Sequence, residues 1–414
     1  MIANYIKLAL KVLGRRKFFT FISLFGISLT LVVLMVAVAI LDNLFAPRQP
    51  ESRFDRVLAV HVIAQVGPNG TMTTPPGYGF VKEYVLGLKD VENESVFTEQ
   101  SPMGMFHDGR KIETHLRRTD GAYWQILDFD FIEGAAFTEQ DNADAKYVAV
   151  ITRDMREKLY AGASALGKNL EIDGQRFRVI GVVENVAITR RVGFSEIWVP
   201  LRTLKGSAYE KQMTGAFGGV VLARSKADFP RLRREFNERL TTFRFDDPKA
   251  FNRIVTGLDT SFEAAARNLI GAAADNKTRA TILRTILIVL ALLFVMLPTM
   301  NLVTINLSRI MERASEIGVR KAFGASSRTL VGQFVMENVV LTVIGGAIGF
   351  VLAIFALRAL SAVELVPYFV LDINLRIFGY GVLMAVVFGV LSGVYPAWRM
   401  SRMHPVQALR GGAL

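Results

Sequence analysis

Long apolar runs separated by polar stretches predict four membrane-spanning helices. The runs lie at 18–41, 285–308, 338–357 and 377–398, and each reaches the length of about 20 residues that a helix needs to cross a hydrocarbon core of ~30 Å. The bases before the first run and its Ala37-Val38-Ala39 also fit a cleaved signal peptide. Because its apolar core is longer than that of a typical signal peptide, we expect an uncleaved anchor.

The region 42–284 has a different pattern, in which short strands alternate with amphipathic helices. Strands are predicted at "RVLAVHVI" and "GGVVLAR", each followed by a helix, "FVKEYVLGLKD" and "DFPRLRREFNERL". In the first helix Val81, Tyr84, Val85 and Leu88 share one face. Between these two units the chain is richer in strands, at "YVAVIT", "NLEIDG", "RFRVIGVVENV" and "EIWVPL".

This pattern predicts a membrane α-helical protein with four transmembrane helices and a large α+β extracytoplasmic domain of two lobes inserted between helices 1 and 2. The flanking lobe comprises 45–112 and 201–280, and the inserted β-rich lobe comprises 113–200. Periplasmic placement follows from charge. The segments 1–17, 309–337 and 399–414 together contain thirteen Lys and Arg against three Glu, whereas the loop 358–376 is neutral. The positive-inside rule therefore places both termini in the cytoplasm.

Most of the net charge of +12 lies at the inner membrane face, which favours anionic lipid as its partner and not nucleic acid. The chain has no cysteine and four histidines, so thiol catalysis and Cys-zinc sites are excluded, and His107 and His115 match no standard metal-ligand spacing. The segment "GASALGKN" at 162–169 resembles a P-loop without its Ser or Thr. It follows a helix and precedes a strand, so we expect a turn there and no enzyme activity or bound cofactor in this chain.

The cytoplasmic segments are predicted to be helical. The segment 1–17 forms an amphipathic helix that either lies in the membrane interface or continues the first span. The link 309–337 forms a helical hairpin, with Gly324 ending one helix and Ser326 or Ser327 capping the next. Apolar Ile317, Val319 and Phe323 lie beside its charges and favour a docking surface over a solvated connector. In the third and fourth spans, the spacings Gly345-x-x-x-Gly349 and Gly389-x-x-x-Gly393 allow close helix approach, within the chain or at a dimer seam.

Two basic stretches beside the apolar runs have distinctive sequences, the link "ASEIGVRKAFGASSRTLVGQFVMEN" and the tail "YPAWRMSRMHPVQALR". The link resembles the E-I-G-[IV]-R-[KR]-A-[LF]-G-A pattern of MacB/FtsX-like ABC transporter permeases, and the tail resembles the ending of that family. The segment "VITRDMREKLYAGASALGKNLEIDGQRFRVIGVVENV" resembles the periplasmic domain of the MacB branch. MacB carries its ATPase on the same chain, and this sequence does not contain one.

The resemblance implies the permease subunit of an ABC transporter in a bacterial inner membrane, working in efflux or extraction. It would transmit motion from a separate cytoplasmic ATPase, which binds ATP and Mg, and would pair with a second permease subunit (an identical copy or a paralogue) and a periplasmic adaptor. The alternative is an FtsX-like scaffold that activates a periplasmic cell-wall hydrolase without transport. The family's ATPase contacts map onto Glu316, Ile317, Gly318, Arg320, Lys321, Gly324 and Ala325 in the link, and onto Pro405, Ala408, Leu409 and Arg410 in the tail.

Overall fold

The computed structural model describes residues 17–270, 279–294 and 326–363, with single residues and short segments at 7, 11, 13–15, 296, 300, 319, 323, 368, 371, 375–376, 378–383, 386–387 and 390. The chain divides into two compact units. One, here called the α+β domain, comprises Leu44–Arg284 and Val366–Phe369. The other, the membrane unit, contains the remaining residues.

The helices begin and end as follows: α1 Lys17–Phe45, α2 Tyr78–Phe80, α3 Tyr123–Ile126, α4 Glu139–Ala143, α5 Arg153–Tyr160, α6 Phe229–Leu240, α7 Ser261–Ile270 and α8 Ser327–Ala362. A π-helical turn, Val81–Val85, extends α2. Short 3-10 turns lie at Phe54–Arg56, Leu201–Thr203, Ala208–Lys211 and Lys226–Asp228. Residues 279–294 are also helical.

The strands of the α+β domain are β1 Val57–Val60, β2 Ile63–Gly67, β3 Gly70–Thr74, β4 Val91–Thr98, β5 Ser101–His107, β6 Arg110–Thr119, β7 Phe131–Gly134, β8 Val148–Thr152, β9 Asn169–Ile172, β10 Gln175–Val183, β11 Ile197–Pro200, β12 Phe217–Ala223 and β13 Arg253–Val255. Ten of them form one sheet in the order β1-β12-β4-β6-β11-β8-β10-β7, with β5 beside β6 and β9 beside β10. A smaller sheet has the order β13-β2-β3.

Strand pairing joins chain segments that are far apart in sequence. Strand β1 pairs antiparallel with β12, from Val57↔Leu222 to Val60↔Gly219, as expected for the two flanking units. Strands β6 and β11 are parallel, as are β8 and β10. Strands β4 and β6 meet through one residue pair, Phe97↔Thr119, so this pairing is the narrowest connection across the large sheet.

Most predicted elements of the domain are confirmed. The residues Val81, Tyr84, Val85 and Leu88 lie in a buried core with Phe236 of α6, as expected. The helical turn ends at Val85, however, so Leu88 reaches this core from the segment that follows the helix. The four strands predicted in the β-rich stretch are β8 to β11. The P-loop-like segment 162–169 is the turn between α5 and β9. The antiparallel β4, β5 and β6 were not among the predicted strands, since their polar-rich sequences alternate only weakly.

Two of the described helices are long and apolar enough to cross a membrane, Lys17–Phe45 and Val335–Ala362, with mean hydropathies of 2.8 and 2.6. Helix α8 is longer than the predicted third span, 338–357: it runs without a break from Ser327 to Ala362. The described residues of the other two predicted spans are all helical.

Within the membrane unit, α1 and α8 pack closely. Ser28 Oγ donates a hydrogen bond of 2.9 Å to the Gly345 carbonyl. A Cβ atom at Gly345 would lie 2.9 Å from Ile27 Cγ2, and one at Gly349 would lie 3.1 Å from Leu31 Cβ. This small-residue spacing therefore forms an intrachain helix contact, which occupies the face that was also considered as a dimer seam. The pair Gly389 and Gly393 lies outside the described residues.

Candidate functional site

The residues predicted to contact an ATPase lie outside the described part of the chain. This applies to the link residues Glu316, Ile317, Gly318, Arg320, Lys321, Gly324 and Ala325, and to Pro405, Ala408, Leu409 and Arg410 of the tail. The structure does describe Val319, Phe323 and the segment 326–363.

Val319 and Phe323 form an exposed apolar pair in the link. The Phe323 backbone N–H donates to the Val319 carbonyl at 3.1 Å, which is the i to i−4 bond of a helical turn and places both side chains on one face. The exposed fractions are 45% for Val319 and 88% for Phe323. Two apolar side chains exposed together on one helical face favour an interaction site.

Ser326 begins the long helix that follows. Its backbone is extended, with φ −70° and ψ 146°, and its Oγ accepts a hydrogen bond of 3.2 Å from the Thr329 N–H. This contact confirms the predicted cap, which typically contributes about 1 kcal/mol to helix stability. Further along α8, buried Gln333 donates to Glu337 Oε1 at 3.2 Å, so two polar groups near the start of the helix are paired with each other.

A second candidate site lies in the α+β domain, around Tyr368. This tyrosine comes from the predicted loop 358–376 but belongs to the same compact unit as the domain. Its hydroxyl donates to Asp154 Oδ2 at 2.5 Å and lies 3.3 Å from Glu196 Oε1. Lys158 Nζ contacts the same two oxygens at 2.6 and 3.4 Å. One tyrosine and one lysine therefore share two carboxylates, here called the Tyr368 cluster.

The electrostatics of the Tyr368 cluster keep these hydrogen bonds in place. Burial and the neighbouring carboxylates raise the pKa of the Tyr368 hydroxyl, so it remains a donor at neutral pH. Burial alone would raise the pKa of Asp154, but hydrogen bonds from Lys158 and Tyr368 hold it below its usual range. Glu196 also accepts from the His115 backbone N–H at 3.0 Å and lies 3.1 Å from His115 Nδ1.

The two histidines considered as metal ligands have separate partners. His115 pairs with Glu196, whereas the His107 ring packs edge-to-face on Tyr160, with centroids 5.6 Å apart. Among the described residues, no group of three His, Asp or Glu side chains could hold a metal ion.

Tyr368 was not predicted as a functional residue. Aromatic residues are common where spans meet the membrane surface, so its position in a short loop between two apolar runs has an ordinary explanation. Its partners Asp154 and Glu196 are remote in sequence, and no local pattern joins them to it.

Two family models match this chain. A model of the MacB-like periplasmic core domain matches residues 20–239, and a model of the FtsX-like permease C-terminal region matches residues 286–405. Together with the large α+β domain and the apolar helices, these matches define the class: a membrane permease of the ABC transporter type. The chain belongs to the MacB/FtsX-like family of ABC transporter permeases.

Its relatives include permeases with and without an ATP-binding part in their names. It is 27% identical to "Uncharacterized ABC transporter permease YknZ" of Bacillus subtilis (strain 168), over 80% of this chain and 79% of YknZ. It is 28% identical to "Macrolide export ATP-binding/permease protein MacB" of Bdellovibrio bacteriovorus, over 80% of this chain but only 48% of that protein. The chain thus spans about half the length of that MacB relative.

Among solved structures, the periplasmic region of MacB from Actinobacillus actinomycetemcomitans matches with a TM-score of 0.36 and 13% identity, over 53% of this chain and 94% of that one. The family assignment rests on the two sequence models, neither of which describes a nucleotide-binding domain.

Proposed function

We propose that this permease transmits ATP-driven motion from a cytoplasmic ABC ATPase to its α+β domain, for efflux or extraction of a substrate. In this proposal four spans cross a bacterial inner membrane with both termini in the cytoplasm, and the partner ATPase binds ATP and Mg. A second permease subunit completes the membrane part. A periplasmic adaptor is the further partner. The family membership supports the assignment as an ABC transporter permease. The exposed pair Val319 and Phe323 supports a contact with the ATPase, and the Tyr368 cluster supports a connection between the spans and the α+β domain.

The Tyr368 cluster is the observation that carries the proposal. Tyr368 lies in the link between the predicted third and fourth spans, and its hydroxyl is bonded to Asp154 of α5. A shift of either span pulls on this link and must either carry the bonded helix along or break the hydrogen bond. Coupling requires contacts that differ between two states, and in this proposal the Tyr368–Asp154 hydrogen bond is formed in one state and broken in the other.

The exposed pair Val319 and Phe323 supports an ATPase contact at the cytoplasmic link. The pair is embedded among the residues that the family resemblance assigns to coupling, Glu316 to Ala325. An ATPase surface that covered the 88% exposed Phe323 ring would gain apolar burial in addition to ion pairs with the link.

The test is co-purification of the tagged chain from membranes of its host, with the bound ATPase subunit quantified by mass spectrometry. Phe323→Ser, Glu316→Arg and deletion of residues 405–410 are each expected to reduce the recovered ATPase by about tenfold. Phe106→Ser is the matched control, because Phe106 is 70% exposed on strand β5. Full ATPase recovery with all three variants would refute the coupling sites. Recovery of a cell-wall hydrolase in place of a periplasmic adaptor would favour the FtsX-like scaffold.

We also propose that the domain moves as two lobes, a flanking lobe of 45–112 and 201–280 and an inserted lobe of 113–200. The single residue pair between β4 and β6 supports a seam at this position. Because β5 and β6 form a hairpin, the seam would lie between the end of β4 at Thr98 and the start of β5 at Ser101, and not at residue 112, which lies inside β6.

A further inference from the structure

A pocket of about 360 Å³ lies in the α+β domain, and none of its lining residues belongs to the Tyr368 cluster. Its apolar wall includes Leu44 and Phe45 at the end of α1, Phe54, Val192 and Leu269 of α7. Leu269 is 73% exposed. The volume corresponds to about twelve water-sized groups, which suits a small ligand with a short hydrocarbon chain.

The polar side of the pocket is formed by side chains that can recognise a charged or polar group. Its polar lining consists of Glu51, His61, Thr189, Arg191, Ser261 and Asn268. Thr189 Oγ1 is buried and has no hydrogen-bond partner among the described residues. A buried hydroxyl without a partner costs free energy, and rotation of the Thr189 side chain toward a ligand oxygen in the pocket would satisfy it.

Arginines outnumber carboxylates around this polar side. Arg190 pairs with Glu51 at 3.3 Å, and Arg191 pairs with Glu99 at 3.3 Å. The third arginine, Arg117, is fully buried. It donates to the Val192 and Arg191 carbonyls at 2.6 and 2.9 Å, with no ion pair to a carboxylate in the described part of the chain. The cluster therefore carries one excess positive charge.

His61 does not change this balance at neutral pH. Its Nδ1 lies 3.0 Å from Glu99 Oε1, and burial lowers the pKa of its ring, so the imidazole is neutral. An excess buried positive charge beside an apolar wall is complementary to an amphipathic anion.

We propose that this pocket binds a medium-chain carboxylate, with the carboxylate at Arg191 and Thr189 and the hydrocarbon chain against Leu44, Phe45 and Leu269. The site is independent of the coupling role, because ligand binding here requires no ATPase.

The experiment uses the full chain in nanodiscs of zwitterionic phosphatidylcholine, so that no anionic lipid competes. A photoreactive diazirine analogue of decanoate is cross-linked, and the labelled peptides are mapped by mass spectrometry. We expect label on the peptides that contain Leu44 and Leu269, removed by excess decanoate and retained in equal excess of decanol, which lacks the charge. Equal competition by decanol, or label spread over the apolar spans only, would overturn the proposal.

Two variants test the two halves of the pocket separately. Arg191→Gln is expected to weaken labelling by about tenfold, the typical effect of losing one charge-assisted hydrogen bond. Ala265→Trp keeps the charges and fills the cavity, and it is expected to abolish labelling. Arg224→Gln, an exposed arginine of the same domain, is the control and should label like the unaltered chain. Unchanged labelling in both pocket variants would also refute the site.

Discussion

The α+β domain buries its large apolar side chains, whereas the long helices of the membrane unit expose theirs. In the domain, Phe80, Phe97 and Phe236 are completely buried. On the long helices, Phe21 and Phe355 are exposed by 65% and 63%. Water drives the first set inward, whereas hydrocarbon chains solvate the second set without cost.

The two units also differ in the side chains that lie where their helices and strands pack together. The domain fills its core with large side chains, and its buried carboxylates accept several hydrogen bonds each. The membrane unit brings helices together where side chains are smallest, at Gly345 and Gly349 against α1. Stability in the domain therefore depends on large buried side chains, whereas the α1–α8 contact also depends on small residues that let the two helices approach closely.

The largest expected effect comes from truncating one phenylalanine in each unit. Phe236→Ala in α6 should destabilise the domain by about 3–5 kcal/mol, because it leaves a cavity in the core. Phe355→Ala in α8, the matched control, removes a ring that faces lipid and should change stability by less than about 0.5 kcal/mol. Thermal unfolding in detergent, followed by circular dichroism, measures both. Equal losses would show that the contrast between the units is wrong.

A smaller effect is expected from a buried carboxylate of the domain. Asp120 accepts hydrogen bonds from Ser95 Oγ at 2.6 Å and from the Val96 and Tyr123 N–H groups at 3.0 Å, yet burial raises its pKa to about 6. Because the folded pKa exceeds the unfolded value of 3.8, the domain should lose stability as pH rises from about 4 to about 6, by roughly 3 kcal/mol.

Asp120→Asn should remove this pH dependence and leave the variant more stable than the unaltered chain at pH 8. Denaturant unfolding of both chains at pH 4, 6 and 8 checks the sign. A variant that is less stable at pH 8 and unchanged at pH 4 would contradict the assignment.

In the membrane unit, adding one methyl group should have opposite effects at two glycines of α8. Gly345→Ala places a Cβ 2.9 Å from Ile27 Cγ2 and should destabilise the α1–α8 contact by about 1–2 kcal/mol. Gly332→Ala meets no atom within 4 Å and should stabilise the helix by about 0.5–1 kcal/mol. Thermal unfolding in detergent measures the stability of the two variants. A loss of stability in both would mean that crowding at Ile27 does not explain the effect of Gly345→Ala.

The smallest effect is expected at the Tyr368 cluster. Tyr368→Phe removes a hydroxyl that contacts Asp154 and should weaken this attachment by about 1 kcal/mol. Amide hydrogen exchange of α5 should become faster. Tyr380→Phe, at a tyrosine that is 61% exposed, should leave α5 unchanged. Identical exchange in the two variants would remove the support that the cluster lends to the coupling proposal.

Much of this architecture could be predicted because its signals are local. The apolar runs predicted α1 and α8, and Ser326 was correctly expected to cap a helix, since span length and caps depend on neighbouring residues. Strands β8 to β11 were recognised from Val and Ile content. The meander β4, β5 and β6 was missed because its strands are half polar and owe their pairing to the rest of the sheet.

The sequence by itself determined the family, the apolar helices, the strand-rich insertion and the basic link with its apolar residues Val319 and Phe323. Only the tertiary structure decided that Gly345 packs against α1, that Tyr368 is bonded to Asp154, and that Arg191 and Leu269 line one pocket. Each of these joins residues that are remote in sequence. Their contacts depend on helix packing and on parallel strand pairing between distant segments, which no local pattern specifies.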